Sequence, residues 1–569
     1  MSAHPPSKRL REFEPKTIAV FRAGYGLADL RADAVAGLTV AIIALPLAMA
    51  LAIASGTTPE KGLHTAIIAG FLISFLGGSK VQIGGPTAAF IPVVFAVIEK
   101  FGYGGLILCT LMAGLMLIAA GLLRLGTLMK YIPQPVVTGF TAGIAVSIFS
   151  SQIKDALGLR MGQVPAEFIP RWAAYAKHIA TTQPAAVALT LLGLFTILAL
   201  RRWRPAWPGF LIALLLCTLV SAGFALPAET IGSKFGGLPS ALPSFDFPHI
   251  PFERTRELLP SAFTIAFLAG VESLLSAVVA DGMTGGRHRS NMELVAQGVA
   301  NAASALFGGL PATGAIARTA TNIRAGGRTP VSGMLHAAFL LAFMLLLAPL
   351  MRYVPLAGLA AILLIVAWNI SEVEAFRHTL SAPKGDRLVL LLTFFLTVFF
   401  DLTLAIEVGV VVAAFVFMFR MAEAVEVQSG VRMIESDDDS GADPTQRARL
   451  PAGVEAFQIS GPLFFGAASR LDDLLDQFRV PPKVFILRMR LVPVIDASGV
   501  HALEGLLERC QRRGITLVVS GLQPQPRRVL AQMRLHPREG ALHIVPDFDS
   551  ALRLADDLIA GTATQDRTS

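Results

Sequence analysis

Cysteine is scarce in this chain. Cys109, Cys217 and Cys510 are the only three in 569 residues, and their spacing fits neither a disulfide framework nor a metal site, so they read as buried bystander thiols. Charge is scarce as well. Only 15% of the residues are charged against 54% hydrophobic, and the mean hydropathy is +0.62, which excludes an ordinary soluble globular protein. The stretch up to Arg31 is polar and basic and lacks the apolar run of a signal peptide, so no cleavage is expected. No metal cluster or nucleotide-binding loop is legible, and the expectation is a protein that is not an enzyme and needs no cofactor.

The formal charge of +8 does not point to nucleic acid. Lys and Arg collect at particular loops: Lys8, Arg9 and Arg11, the run Arg201, Arg202 and Arg204, then Arg287, Arg289, Lys384 and Arg387. That is the positive-inside pattern of a multi-pass membrane protein. It places both termini in the cytoplasm of a cell whose inner membrane the chain crosses, with the long 226–258 segment outside.

Apolar runs recur between polar or Gly/Pro breaks near 33–54, 62–77, 86–98, 104–122, 135–152, 183–200 and 208–225, then near 258–281, 291–308, 312–323, 330–350, 355–370, 387–402 and 404–421. That makes fourteen membrane segments in two groups of seven. The groups share two marks. Gly84-Gly85-Pro86-Thr87 is echoed by Gly308-Gly309-Leu310-Pro311-Ala312-Thr313-Gly314, and Leu128-Met129-Lys130-Tyr131-Ile132-Pro133 by Leu350-Met351-Arg352-Tyr353-Val354-Pro355, at nearly one offset. Because seven is odd, the second copy enters the membrane in the opposite sense, an inverted repeat of the kind transporters use.

The segments after both glycine marks are short. The one from Pro86 reaches only to Glu99, roughly 20 Å at 1.5 Å per residue and so about half a membrane. The one from Ala312 to Asn322 is shorter still. A helix that starts inside the membrane presents free N–H groups and the positive end of its dipole, which together favour an anion. Thr87, Thr313 and the amides around Ala88, Gly314 and Ala315 are therefore anion-binding candidates, although hydroxyls in membrane helices also bond to their own backbone. The flanking stretches 81–83 and 305–307 are expected to pair as short strands.

Glu272 lies in an otherwise apolar helix, where an ionised, unpaired carboxylate is expensive and is a functional group by default. It reads as proton carrier or cation ligand, or else as a structural carboxyl bonded to a half-helix start. Ser276 shares its face one turn on. Arg318, in the second short helix, attracts an anion or pairs with a carboxylate. Asp281, Asp401 and Glu407 lie near span ends and read as interfacial.

Beyond Arg420 the chain turns polar, through an acidic loop at 435–441. Strand-like 454–459, 484–489 and 515–519 then alternate with helical 468–478 and 500–512, a small α/β domain. Between the second strand and its helix, Asp496 and Ser498 read as a helix cap.

The run from Gly308 to Ala337, with Ala36-Gly37-Leu38-Thr39-Val40-Ala41 and the Glu272 helix, resembles the SulP family of sulfate permease-type anion transporters, and the terminal domain resembles a STAS domain. The resemblance implies a UraA-like fold in which a core domain moves against a gate domain, and a homodimer. It divides the chain into a cytoplasmic segment 1–32, a transport domain 33–421 with repeats at 33–225 and 258–421, a linker 422–450, a STAS domain 451–560 and a tail 561–569. It places the anion at Pro86, Thr87, Ala88, Thr313, Gly314 and Ala315 with Arg318 nearby, makes Glu272 with Ser276 the ion-coupling site, and marks Ser498 as a regulatory position of related domains.

One position departs from the family. Many members carry Gln after the Pro of the first span, whereas Pro46 is followed here by Leu47, which leaves sulfate, bicarbonate and small dicarboxylates all open. The expected activity is proton-coupled symport of a small oxyanion or carboxylate by alternating access. Sodium-coupled bicarbonate symport, anion exchange, an uncoupled channel and a membrane anchor for a signalling STAS domain stand as alternatives.

Overall fold

The computed structural model describes residues 12–127, 133–162, 164–205, 207–236, 252–400, 402–423, 425–429, 450–464, 471, 475 and 480–565. Outside them lie Lys8, Arg9, Arg11, residues 128–132 of the second repeat mark, Asp401, the acidic loop and most of the helix expected at 468–478. The chain divides into two compact units, Met1–Ala413 and Ala414–Ser569.

The first unit is helical. After a short α1 (Lys16–Ala23) come α2 (Leu27–Ala54), α3 (Pro59–Leu76), strand β1 (Gly84–Gly85), α4 (Ile91–Leu122), α5 (Gln134–Leu157), α6 (Phe168–His178), α7 (Pro184–Trp203) and α8 (Gly209–Gly223). The second half runs through a short α9 (Ile231–Phe235), α10 (Thr255–Thr284), α11 (Ser290–Leu306), strand β2 (Thr313–Gly314), α12 (Ile316–Arg324), α13 (Val331–Met351), α14 (Leu356–Ile370), α15 (Val373–Leu380), α16 (Lys384–Phe399) and α17 (Leu402–Glu423), which straddles the unit boundary. Each of the fourteen apolar segments coincides with a helix or with part of one. Among the described residues, eight helices are long and apolar enough to cross a membrane.

Two breaks divide what length alone would join. Gly102, at φ +71, interrupts α4 so that its first part ends about where the short segment was expected to end. A non-glycine residue would be strained there. On the other side, α12 has only nine residues, a half-helix of roughly 14 Å.

Packing pairs the halves reciprocally. The first helix of the first group, α2, lies on α13, the fourth segment of the second; conversely α10 lies on α4. The second helices follow suit, α3 on α13 and α11 on α4, while α5 meets both α14 and α16, and α14 meets α7. Close approach is allowed by small residues, as is usual inside membranes. A Cβ on Gly114 of α4 would come within 2.7 Å of the Gly298 carbonyl of α11, and one on Gly298 within 2.5 Å of the Gly114 carbonyl, so both positions need glycine.

In the second unit, β3 (Glu426–Ser429) runs antiparallel to β4 (Val454–Ser460), which continues in parallel through β5 (Val484–Leu491), β6 (Thr516–Ser520) and β7 (Leu542–Val545) in the order 3-4-5-6-7. From Val484 to Met489 every residue of β5 is buried, as a parallel strand covered on both faces requires. One face packs on Leu503, Leu506 and Leu507 of α18 (Ala497–Arg512) and on Leu530 of α19 (Pro524–Gln532); the other packs on Phe548, Ala551 and Ala555 of α20 (Phe548–Gln565). The three expected strands are present. β7, α19 and α20 extend the domain beyond them.

Candidate functional site

The two glycine marks meet. β1 and β2 pair antiparallel, Gly84 with Gly314 and Gly85 with Thr313, and the Ala315 N–H donates to the Ile83 carbonyl at 2.9 Å. The pairing expected between 81–83 and 305–307 does not occur: Ala305 and Leu306 complete α11, and the strands form on Gly84, Gly85, Thr313 and Gly314 instead. Only glycine lets the two backbones approach this closely beside other side chains. A Cβ on Gly314 would fall 1.6 Å from Gln82, and one on Gly85, where φ is +150, would fall 2.5 Å from Arg318. Both half-helices therefore begin at one place, the first through a short turn at Ala88–Phe90 ahead of α4 and the second at α12.

One stripe of α10 serves both starts. The Ala269 carbonyl accepts from Thr313 Oγ1 at 2.7 Å, Glu272 Oε2 accepts from Thr87 Oγ1 at 2.8 Å, Ser273 Oγ accepts from Gln82 Nε2 at 2.9 Å, and Ser276 Oγ donates to Thr319 Oγ1 of α12 at 3.1 Å. Residues 269, 272, 273 and 276 share a helical face because they are spaced by three and four. The carboxylate of Glu272 is thus fixed beside the first start, and Ser276 ties the same helix to the second.

Arg318 joins the two half-helices. Its Nη2 donates to the Pro86 carbonyl at 2.9 Å, while among the described residues Nε and Nη1 find no hydrogen-bond partner, although the side chain is only 4% exposed. A buried guanidinium is costly unless charge or hydrogen bonds compensate it. Glu272 supplies one negative charge nearby. Among the described residues, Glu272 is the carboxylate that acts on this guanidinium, and the positive ends of the two half-helices add to the positive charge there.

The candidate residues differ in how freely they can meet a ligand. Thr87 is half-buried, whereas Ala88, Thr313, Gly314 and Ala315 are buried. The Ala315 N–H is engaged with Ile83, and the Thr313 hydroxyl donates to α10. Ser498 stands exposed in the first turn of α18, where the cap is made by Asp496, whose side chain accepts from the Gly499 N–H at 2.8 Å.

A polar ladder on α11 holds this frame, and the sequence reading missed it. Asn301 clamps Ala312 through both backbone groups, each at 2.8 Å, and Ser304 donates to the Leu310 carbonyl at 2.7 Å. Glu293 accepts from the Gly78 N–H at 2.8 Å and from Ser273 and Gln297 at 2.9 Å each. Thr65 of α3 accepts from the Leu310 N–H. The available signal was the spacing of Glu293, Gln297 and Asn301 at every fourth residue of an otherwise apolar helix.

A cavity of 1220 Å³ runs beside the first half-helix from Glu99 to Ile91, one turn short of Ala88. Thr87 and Glu272 do not line it.

Comparison with known proteins bears on the family and the fold. Residues 30–393 match the Sulfate permease family, and residues 447–551 match the STAS domain. The chain is 42% identical over 529 residues to a putative sulfate transporter, YvdB, of Bacillus subtilis (strain 168), covering 92% of this chain and 98% of that one. It is 32% identical to the bicarbonate transporter BicA of Picosynechococcus sp. (strain ATCC 27264 / PCC 7002 / PR-6), over 90% of this chain and 92% of the relative. Its fold matches the inward-facing structure of the murine Slc26a9 anion transporter with a TM-score of 0.85 at 18% identity, over 98% of this chain and 96% of that one. The chain therefore belongs to the sulfate permease family of membrane anion transporters and carries a C-terminal STAS domain.

Proposed function

We propose that the protein is a proton-coupled anion symporter that binds a small oxyanion or carboxylate between the starts of its two half-helices. The observation that carries this reading is the joint between Thr87 and Glu272: the hydroxyl at the first start donates to the carboxylate at 2.8 Å, directly where an anion would sit. An anion arriving at Thr87 competes for that hydroxyl and repels the ionised carboxylate. Protonation of Glu272 removes the repulsion, so proton and anion binding favour each other, which is what coupling requires.

The anion meets Pro86, Thr87 and Ala88 on one side and the backbone at Thr313, Gly314 and Ala315 on the other, with Arg318 supplying positive charge. The reciprocal packing of the halves supports an inverted repeat, and with it alternating access in which one set of helices carries the site past the other. The relatives' names make sulfate and bicarbonate the first anions to test. The basic loops favour cytoplasmic termini in the cell membrane, and we assign a homodimer and a regulatory role for the STAS domain as parts of the same reading.

The test is uptake into proteoliposomes. An imposed inward proton gradient should concentrate the labelled anion in wild type and fail to do so in Glu272→Gln. Undiminished proton-driven accumulation in that variant sinks the coupling role. A second reading, sodium coupling, is favoured by Ser276 and Thr319, whose hydroxyl oxygens meet at 3.1 Å one turn from Glu272 and suit a hard cation. Varying sodium and pH gradients separately decides between the two. Large currents with no accumulation under either gradient would favour a channel.

A further inference from the structure

Among the described residues, the 1220 Å³ cavity is lined by six charged side chains, Glu99, Lys154, Asp155, Glu167, Arg171 and Lys234, three of each sign. Their sum is zero, but they do not weigh equally. Glu99 and Glu167 are exposed, so water and salt weaken their charges without removing them. Asp155 faces Lys234 at 3.6 Å, and the two largely cancel. Arg171 is different. It is only 7% exposed, and its hydrogen bonds go to backbone carbonyls, with Nε donating to Pro165 at 2.9 Å and other guanidinium nitrogens to Ala166 and Ser147. Carbonyls hold its geometry without neutralising its charge, which Glu99 offsets only in part. Lys154 is anchored in the same way, its Nζ donating to the Gly162 carbonyl at 3.0 Å.

The position is equally specific. The Arg171 guanidinium lies over the Phe95 ring, 5.8 Å from its centroid, on the first half-helix itself. Phe95 is seven residues beyond Ala88, so Arg171 stands roughly 10 Å along that helix from its start. We propose that the cavity is a loading vestibule for small inorganic or carboxylate anions, centred on the carbonyl-held Arg171 and assisted by Lys154, which concentrates the anion before it reaches Thr87. This rests on the anion-transport reading and adds a second, outer station to it.

A charged vestibule acts on capture, so its signature lies in KM and has opposite sign for cations and carboxylates. The experiment measures KM for labelled sulfate and labelled bicarbonate in proteoliposomes of the full chain carrying Arg171→Gln, Lys154→Gln or Glu99→Gln. Arg171→Gln and Lys154→Gln should raise KM by about threefold or more, more steeply at low salt, and Glu99→Gln should lower it. Should Arg171→Gln fail to fold because its carbonyl partners are lost, the other two variants still decide by sign. KM unchanged in both of them, or raised in both, overturns the vestibule and leaves Arg171 a structural anchor. A wild type that moves neither anion would instead overturn the transport reading on which the proposal stands.

Discussion

The two half-helix starts carry the same motif and are treated differently by their surroundings. At the second, Asn301, Ser304 and Thr65 clamp the loop, Thr313 donates to α10, and the Ala315 N–H is engaged with Ile83. At the first, Thr87 is half-buried and its hydroxyl donates to the Glu272 carboxylate. On the proposed reading one start is a frame and the other is the working end. A repeated motif fixes where two helices begin, and the polar residues of neighbouring helices decide which of them can exchange partners.

This contrast can be broken most severely at Asn301. Asn301→Ala orphans both the N–H and the carbonyl of Ala312 inside the membrane, where each unsatisfied group costs several kcal/mol. The expected outcome is a protein that unfolds at much lower temperature in detergent and transports nothing. A melting temperature like that of wild type would show the clamp to be dispensable.

Thr87→Val removes the hydrogen bond to Glu272 while keeping volume. A hydrogen bond to a charged group contributes about 1.5–3 kcal/mol, and each 1.36 kcal/mol lost at the transition state slows a reaction about tenfold. Transport in this variant should fall by about ten- to a hundredfold with little change in melting temperature, as initial uptake rates would reveal. Thr313→Val should do the reverse. Interhelical hydrogen bonds in membranes average about 0.6 kcal/mol, so the variant should melt slightly earlier and keep uptake within about threefold of wild type. If Thr313→Val proves the more damaging to uptake, the assignment of frame and working end is inverted.

The smallest effect expected is none at all. Burial pushes the Cys510 thiol up to about 12, and Cys109 and Cys217 are buried in the membrane unit. Native protein at neutral pH should take up no maleimide, and all three thiols should react once it is unfolded. Labelling of folded protein would mean that one of these helices opens.

The helices were legible because a membrane demands long apolar runs, and the breaks were legible because glycine and proline interrupt them. The meeting of the two glycine marks was expected too, but its register was not. Residues 81–83 and 305–307 have the side chains of strands, whereas the pairing went to Gly84, Gly85, Thr313 and Gly314, where the lack of a Cβ on Gly314 and Gly85 admits Gln82 and Arg318. The α11 ladder stayed hidden for another reason. Asn, Gln and Ser in an apolar helix announce a polar partner without naming it, and their partners lie on α10 and in loops far away in the sequence. In the terminal domain, α19 and α20 have short apolar stripes shared with charged residues, a weak signal until the sheet they cover is known.

The stripe of α10 has a consequence for how the site can change. Four side chains and carbonyls within two turns act as a ruler against which both half-helix starts are set. A shift of α10 by a single residue would rotate every mark off its target at once. The distance across the proposed anion site is therefore one quantity rather than two, and a transporter built this way can retune its selectivity by exchanging side chains on the ruler, but not by sliding it.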